Sequence, residues 1–430
     1  MADQNPSFTK WQAIVFVFTG AIIAVVLIQV KLFAEHRPSW HTWELLAYEF
    51  LQTWAPLSDK PGKPLSVVVV DIGKMPGGKD ENTPREALTH LINTVVEQSP
   101  LAIAVDIDFS PSDDGLYRTD EDPKFFDFCR EQKSGPRSTP IFLGVHENST
   151  VSPDAWLGVP KYKDLAVNIA IDPLKTRRIP LWIQLDGWDD QLPSLSAALA
   201  NVRGVKPADL PRWLQSAVDT NPREDEGYVY ADTLVDYTRL DDIKKETVIY
   251  SPVPDRPTPV LSKSENLKDK LVIIGDVTDA MDSFRVPGRD DGEFPGVYLH
   301  ASAVHTLTTH PVFELTNKAR LTVEIVVSGL IILGAAVIRY RYRMDPDLSN
   351  AYQRRLTISC FVLVIVAVIV LVRYYNVFWF DLHLALLGLF LHLKLERVVD
   401  AFYHFRQRSK QTRRKQARRK QTRRLSSHRS

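Results

Sequence analysis

Four apolar runs divide this chain of 430 residues and limit what it can fold into. The first, from Trp11 to Val30, has 20 residues without a formal charge. One helix of that length crosses a hydrocarbon core of about 30 Å. Three more runs follow late in the chain: Leu321 to Ile338, Leu356 to Val372, and Tyr374 to Leu393. The pattern predicts membrane helices over residues 11–33, 320–338, 356–372 and 374–395, one before and three after a long polar segment.

A cleaved signal peptide is the competing interpretation of the first run. The apolar region of a signal peptide is shorter and ends at a small-x-small cleavage site. Here the run continues into Lys31-Leu-Phe-Ala-Glu-His36. A retained membrane anchor is therefore the favoured interpretation.

Charge is sorted along the chain, although 53 Lys and Arg nearly balance 52 Asp and Glu overall. Residues 397–430 hold 13 basic residues and one acid, whereas residues 35–319 hold 30 basic and 45 acidic residues. The predicted loop 339–355 is basic as well. Short loops rich in Lys and Arg stay in the cytoplasm. This loop, residues 1–10 and the basic tail are therefore predicted inside the cell, and residues 40–319 outside.

The fourth run contains two polar residues, Asp381 and His383. A carboxylate at the centre of a membrane helix costs roughly 2.5 to 3.5 kcal/mol, and both residues lie near the outer end of the run. Two interpretations stay open. The residues lie at the level of the lipid headgroups, or they form a buried polar site in the helix bundle.

The exported segment has the pattern of an α/β domain with a largely parallel sheet. Leu65 to Val70 is a continuous aliphatic run, as expected of a strand buried on both faces. Thr83-Pro84-Arg85-Glu86 then supplies an N-cap, a proline at the first helical position and a glutamate placed for a capping box. Pro100 ends this helix, and Leu101 to Val105 is the next strand. Together they predict a βαβ unit with parallel strands.

The remaining exported residues supply further elements and an insertion. The other predicted elements are strands at Pro140 to Val145, Thr247 to Tyr250 and Leu271 to Gly275, and a closing helix at Pro295 to Thr309. Residues 150–245 are predicted to form an elaborate insertion. The one clear helix pattern within it begins at Pro193. No disulfide is predicted between Cys129 and Cys360, because Cys360 lies inside an apolar run.

Acidic residues stand at the ends of the strong strands. Asp71, Asp106 and Asp276 each come directly after one, with Asp108 and Asp282 nearby. Parallel strands bring their carboxyl ends to one edge, where open α/β sheets bind ligands, so these carboxylates are predicted to converge. They are candidates for holding a divalent cation or for acting as an acid–base pair. The alternative is that they cap loops and helix N-termini.

The tail carries a repeated basic sequence from Lys410 to Arg424. We expect it to be disordered and to bind the anionic lipids of the inner leaflet, at about 1 kcal/mol per basic residue near the surface. The candidate contact residues are Arg413, Arg414, Lys415, Arg418, Arg419, Lys420, Arg423 and Arg424. A docking peptide for an acidic cytoplasmic protein is the second interpretation. Nucleic acid is disfavoured, because the anchor places the tail at the lipid surface.

Several segments together resemble the type-two CHASE domain, an extracytoplasmic sensory module of bacterial receptors. They are the strand that closes on Asp71, Asp106-Ile-Asp108-Phe, Pro193-Ser-Leu-Ser-Ala-Ala-Leu-Ala, Leu271-Val-Ile-Ile-Gly275 with Asp282 beyond it, and Pro295-Gly-Val-Tyr-Leu-His300-Ala. The family layout, with one span before the sensor and three after it, is also similar. The resemblance implies that Asp71, Asp106, Asp282 and His300 are candidate pocket or structural residues and that Gly296 is structural. It implies no particular ligand.

The chain departs from the family pattern in its output. The 34 residues after the last predicted span are too few for a cyclase or kinase domain. We therefore expect a non-enzymatic sensor or adaptor in the bacterial cytoplasmic membrane that relays a signal to a separate protein. No cofactor is expected, with a divalent cation as the open case. A structural subunit of an envelope complex is the alternative, a metal-dependent hydrolase comes third, and homo-oligomerisation stays open.

Overall fold

The computed structural model describes part of the chain. The described residues are 64–76, 82–111, 116–134, 138–146, 155–173, 176–185, 190–204, 214–215, 218–220, 228–253, 259–289, 292–342 and 345–378, with single positions between 14 and 49. Most of the predicted first span, the fourth span with Asp381 and His383, and the basic tail lie outside them. The chain divides into two compact units. Residues 42–316 and 368–379 form one, called the α/β domain below, and residues 1–41, 317–367 and 380–430 form the other.

The strands are β1 (Val67–Asp71), β2 (Ala102–Asp106), β3 (Ile141–Val145), β4 (Ala166–Asn168), β5 (Arg178–Leu185), β6 (Leu192–Pro193), β7 (Leu214–Gln215), β8 (Val218–Thr220), β9 (Tyr228–Leu234), β10 (Val248–Ser251), β11 (Val260–Leu261), β12 (Leu271–Gly275), β13 (Ser283–Arg285), β14 (Glu293–Pro295), β15 (Phe313–Leu315) and β16 (Val377–Phe378). The helices are α1 (Arg85–Val96), α2 (Asp122–Ser134), α3 (Leu195–Val202), α4 (Leu240–Lys245), α5 (Gly296–Thr309), α6 (Asn317–Arg341) and α7 (Pro346–Tyr375). Two 3-10 helices span Pro160–Leu165 and Ser264–Leu267.

The main sheet confirms the predicted α/β architecture. Within the described residues it has seven strands in the order β11-β10-β1-β12-β2-β3-β4, and every neighbouring pair is parallel except β10 and β11. At its centre, Asp71 lies opposite Gly275, and Gly275 lies opposite Asp106. These three residues therefore stand side by side at the carboxyl edge of the sheet.

Alternation along the strands decides which helix each side chain meets. In β1, Val68 and Val70 pack in the core under α1 and α2, whereas Val67 and Val69 pack in the core under α5. Residues two apart in a strand share a face. Asp71 therefore continues the α5 face of β1. By the same count Gly275 and Asp106 continue the α5 face of β12 and β2.

The start of α1 differs from the prediction. The N-cap residue is Pro84 and no side chain caps the helix, so the predicted capping box with Glu86 is wrong. The backbone N–H of Arg85 instead donates to Glu121 Oε2 at 3.2 Å. The buried Arg85 side chain donates to Asp122 Oδ1 at 2.6 Å. Contacts from the start of α2 thus replace a local cap, which a sequence pattern over four residues does not reveal.

The predicted insertion contains an antiparallel sheet of its own. Its described strands lie in the order β6-β5-β9-β8. The expected helix is present as α3, which is capped by Ser194, whose Oγ accepts the N–H of Ala197 at 3.2 Å. Pro193 belongs to β6 and precedes the helix.

A small sheet in the α/β domain joins distant parts of the chain. Its order is β16-β15-β7, with β15 parallel to β16 and antiparallel to β7. The N–H of Phe313 donates to the carbonyl of Asn376 at 2.8 Å. The ring of Tyr48 lies 6.3 Å from that of Phe378, and its hydroxyl donates to the carbonyl of Val235. The chain therefore contacts the α/β domain again directly after α7.

Two helices are long and apolar enough to cross a membrane, against four predicted spans. They are Lys318–Arg341, with a mean hydropathy of 2.4, and Ala351–Tyr375, with a mean hydropathy of 2.8. This finding covers only the described residues and rests on length and composition. Helix α7 begins at Pro346, so much of the predicted loop 339–355 is helical. Near this turn the rings of Tyr342 and Tyr352 stack at 4.6 Å.

Candidate functional site

Two carboxylates lie near each other at the carboxyl edge of the sheet, those of Asp106 and Asp282, since the charge of Asp106 raises the pKa of Asp282. Asp106 is the last residue of β2 and lies on the α5 face. Asp282 comes directly before β13, and the pairing of Ser283 with Pro295 brings it beside Gly296, the first residue of α5. The N–H of Gly296 donates to the backbone carbonyl of Asp282 at 2.9 Å. A hairpin between β13 and β14 thus delivers one carboxylate, and the central sheet delivers the other.

Neither carboxylate accepts a hydrogen bond from the part of the chain that the structure describes. The side chain of Asp106 is only 7% exposed, and the nearest group of opposite polarity is His300 Nε2, 4.0 Å from Asp106 Oδ1. Buried carboxylates in proteins are normally hydrogen-bonded or paired with a cation. Asp106 is therefore an exception that calls for an explanation.

Burial raises the pKa of the Asp106 carboxyl from its ordinary 3.8 to about 7, and the imidazole of His146 offsets this slightly. The pKa of Asp282 also rises to about 7, first through desolvation and then through the negative charge of Asp106. Asp282 is solvent-exposed as a residue, so water screens part of this second shift. The shift at Asp106 therefore carries more weight. Near neutral pH both carboxyls are therefore partly protonated.

His300 lies on α5 beside the pair, and both of its ring nitrogens lie within hydrogen-bond distance of protein groups. It is 1% exposed, its Nε2 lies 3.1 Å from the carbonyl of Ile169, and its Nδ1 lies 3.3 Å from the hydroxyl of Ser196. Burial lowers its pKa to about 4. His300 is thus neutral at physiological pH, and the Nε2–H tautomer satisfies the carbonyl of Ile169. It fixes α5 against its neighbours, and its Nε2 lies 4.0 Å from Asp106 Oδ1 without a hydrogen bond to it.

Two of the other candidate aspartates serve local turns, as the alternative interpretation anticipates. Asp71 Oδ1 accepts the N–H of Gly73 at 2.9 Å and that of Val277 at 3.4 Å. Asp276 Oδ1 accepts the N–H and the hydroxyl of Thr278 at 2.6 and 2.7 Å. Both carboxylates are already satisfied by the loops that follow the strands. They lie at the same edge of the sheet as Asp106, but unlike Asp106 they accept hydrogen bonds from the described residues.

Asp108 is also engaged. Its Oδ1 accepts the N–H of Ser110 at 2.9 Å, and its Oδ2 pairs with the guanidinium of Arg118. The predicted convergence of all the strand-end carboxylates therefore reduces to one pair without hydrogen bonds. Asp106 supplies the buried member and Asp282 the exposed one.

Glycines give Asp282 and α5 the room to approach the sheet. A Cβ atom on Gly296 would lie 2.6 Å from Asp282 Oδ2, closer than real Cβ contacts allow. A Cβ atom on Gly275 would lie 2.9 Å from a methyl group of Val297 and 3.2 Å from Asp106 Cβ. The structural role expected of Gly296 follows from this close contact.

His146 is a member of the neighbourhood that sequence reasoning missed. It directly follows β3, is exposed, and lies near enough to lower the pKa values of both Asp106 and Asp282. The signal was available, because His146 follows its strand as the aspartates follow theirs.

A metal centre is not evident in the described residues. No three or more His, Cys, Asp or Glu side chains there come close enough together to hold a metal ion. Mg²⁺ and Ca²⁺ take six or more oxygen ligands, and a pair of carboxylates supplies few of them. What the pair does offer is negative charge next to the first turn of α5, almost completely covered at Asp106 and exposed at Asp282.

Comparison with known proteins gives one positive result. The CHASE2 domain matches residues 20–336, which is well over half of the chain. A search of the curated proteins returned no match, and neither did a search of the solved structures. The matched range includes the sheet, the Asp106–Asp282 pair and α5, and it confirms the resemblance read from the motifs. The chain therefore belongs to the CHASE2 domain family, a family of extracytoplasmic sensory domains.

Proposed function

We propose that this protein is a membrane-anchored sensor or adaptor. Its α/β domain detects a signal outside the cytoplasm at the Asp106–Asp282 pair, and the membrane helices relay the result to a separate protein. Family membership supports the sensory role, since the family's domains are sensory rather than catalytic. The proposal assigns no chemical step to the domain. Signalling requires that the ligand favour one of two arrangements of the chain.

The observation that carries the proposal is the Asp106 carboxylate, whose side chain is almost completely covered and accepts no hydrogen bond from the described residues. Burial of the ionised carboxylate costs stability, which its raised pKa reflects. The carboxylate also lies at the edge of an open α/β sheet where ligands bind. A costly group at a binding position is what a recognition site requires, because the ligand can supply the missing partner.

Helix α5 supports the relay, because it connects the pair to the segment before the apolar helices. It has 14 residues, which corresponds to about 21 Å. At its start lie Gly296 and His300, beside the pair. Toward its end, His305 Nδ1 lies 3.1 Å from the hydroxyl of Ser66, and His310 Nε2 lies 2.9 Å from Asp236 Oδ2. Strand β15 and helix α6 follow, so a displacement of α5 reaches the start of α6 through few residues.

The membrane arrangement proposed is N-in and C-in, with the α/β domain outside. The pairing of β15 with β16 supports it, because the chain leaves this domain before α6 and meets it again after α7. Two crossings return a chain to the side from which it started. The turn between α6 and α7 then lies on the cytoplasmic side, as its Arg residues favour.

Cysteine labelling tests this arrangement. Asn201→Cys, at the exposed end of α3, is expected to react with a membrane-impermeant maleimide on intact cells. Arg341→Cys, at the exposed end of α6, is expected to react only after lysis. The unaltered chain, with its buried Cys129 and half-buried Cys360, gives the background. The opposite pattern would overturn the topology and, with it, the sensor proposal.

The relay is tested by comparing the partners of matched variants. Full-length protein and its Asp106→Asn variant are purified in mild detergent, and co-purifying proteins are quantified by mass spectrometry. We expect the recovery of at least one protein to change about fivefold or more, the lower range of typical coupling between sites. Asp276→Asn is the control, because its amide oxygen can still accept the hydrogen bonds of Thr278.

The same comparison separates the sensor from a structural subunit. A complex of constant stoichiometry, recovered equally with the wild type and Asp106→Asn, would contradict the relay and favour a structural role. Loss of that complex with both Asp106→Asn and Asp276→Asn would also contradict the proposal, since the effect would then not be specific to the pair.

A further inference from the structure

Within the described residues, no cation is hydrogen-bonded to the Asp106 carboxylate. The two ring nitrogens of His300 lie within hydrogen-bond distance of Ile169 and Ser196. Asp282 brings a second negative charge. His146 is exposed and lowers the pKa of both carboxyls without a hydrogen bond to either. A hydrogen-bonded cation for the pair must therefore come from outside the described residues.

The site is reached by solvent on one side. Asp282 is exposed, whereas the side chain of Asp106 is almost completely covered, so the pair is open on the side of Asp282. Apolar residues border it. Val297 lies against Gly275 next to Asp106, and Ile169 packs on the same hydrophobic core. A group that fits must combine positive charge, N–H or O–H donors and an apolar portion.

We propose that the Asp106 and Asp282 carboxylates bind the protonated amino group of an organic amine, and that this amine is the ligand class of the domain. The inference rests on the proposed function, whose signal it specifies. An ammonium group has three N–H donors and no acceptor, which matches two carboxylates that accept no hydrogen bond. The hydrogen bonds formed are charge-assisted and therefore strong.

A divalent metal ion is the main competitor, and the described residues favour the amine. They bring no third His, Cys, Asp or Glu side chain into a metal-binding group. The alkyl portion of an amine also gains from apolar contact with Val297, which a hydrated metal ion does not. A proton alone satisfies the pair at acidic pH, so amine and proton compete for the same two carboxylates.

This competition gives the binding a characteristic pH dependence. The groups that surround Asp106 are His300 on α5, Asp279 and Asp282 before β13, His146 after β3, and Asp71 in register beyond Gly275. His300 stays neutral above about pH 4, so the two carboxylates dominate the change near neutrality. Binding needs them ionised. Affinity should therefore fall at least about tenfold between pH 8 and pH 6.

Calorimetric titration of the full-length protein in detergent tests the proposal. The probes are ethylammonium chloride, tetramethylammonium chloride and magnesium chloride at equal ionic strength. We expect ethylammonium to bind at pH 8 and to bind at least about tenfold more weakly at pH 6. Tetramethylammonium carries the same charge without N–H donors and should not bind. Asp106→Asn should abolish binding of ethylammonium, and Asp276→Asn should leave it unchanged.

Three results would overturn the amine assignment: absence of ethylammonium binding, equal binding of tetramethylammonium, or tighter binding of magnesium. Equal binding by the Asp106→Asn variant would overturn the site itself. These outcomes are separable from failure of the proposed function. If amines do not bind while Asp106→Asn still alters partner recovery, the sensor stands and the ligand class is wrong.

Discussion

Asp106→Asn is expected to stabilise the α/β domain at pH 8 by as much as about 4 kcal/mol, because it replaces a buried carboxylate that lacks a hydrogen bond by a neutral side chain of the same shape. The figure corresponds to the rise in the pKa of Asp106 from 3.8 to about 7. Most substitutions of buried residues destabilise a protein. A gain in stability from Asp106→Asn would therefore point specifically to the buried carboxylate.

The direction of the pH dependence follows from the raised pKa. Between pH 3.8 and about pH 7 the folded chain keeps the Asp106 proton, whereas the unfolded chain has lost it. Stability from this group is complete below pH 3.8 and is lost as the pH rises to about 7. The advantage of Asp106→Asn should accordingly shrink by about 1.4 kcal/mol for each pH unit below 7 and nearly vanish at pH 4.

Urea unfolding followed by tryptophan fluorescence, at several pH values between 5 and 8, measures this effect. Asp276→Asn is again the control, since it removes a half-buried, hydrogen-bonded carboxylate at the same edge and should show no such trend. A constant difference between Asp106→Asn and the wild type across this range would contradict the assignment of Asp106 as a buried, unpaired acid. So would a loss of stability at pH 8.

The expected gain also bears on function. A substitution that stabilises the fold and disables the relay would show that Asp106 is kept for recognition at the expense of stability. It would also remove misfolding as the explanation for lost partner coupling. The stability measurement and the partner comparison together are therefore stronger than either alone.

The strands of the central sheet could be predicted from the sequence. Each strong aliphatic run became a parallel strand, and each ended next to an acid, as β1 does at Asp71 and β2 at Asp106. Long buried strands encode these features locally, so the pattern alone is sufficient to predict them. That Asp71 and Asp106 lie on one face depends on the register of both strands with Gly275, which the pattern does not give.

Which of the acids form the site could not be predicted from the sequence, because this depends on loops and on pairings between distant residues. Asp71 and Asp276 accept hydrogen bonds from their own following loops, as Asp side chains commonly do. Asp108 has a partner ten residues away in Arg118. Asp282 reaches the site only through the register of the β13–β14 hairpin. No spacing rule in the sequence distinguishes these four aspartates from one another.

The same holds for the small sheet that follows α5. The strands β15 and β16 are separated by α6 and α7, and neither has more than three residues. Such short strands carry no detectable period. They are held instead by a buried ionic cluster: Arg178 donates to Asp232 at 2.9 Å and forms two hydrogen bonds with Glu314 at 2.8 and 2.7 Å. Glu314 lies in β15, which ends at Leu315, and α6 begins at Asn317.

Arg178→Met is therefore expected to destabilise the α/β domain by about 3 to 5 kcal/mol, because it removes the guanidinium that two buried carboxylates share. The side chains of Asp232 and Glu314 are 4% and 5% exposed, so water does not replace the lost guanidinium. Arg178→Lys should recover only part of the loss, since an ammonium group cannot reproduce the paired hydrogen bonds to Glu314.

Urea unfolding of these variants at pH 7 measures the loss, and Arg289→Met provides the matched control. Arg289 pairs with Asp241 at 2.9 Å, but Asp241 is 54% exposed, so its removal should cost less than about 1 kcal/mol. Equal effects of Arg178→Met and Arg289→Met would mean that the cluster does not hold β15 in place. A large effect of Arg178→Met alone would show that the cluster holds β15 in the α/β domain.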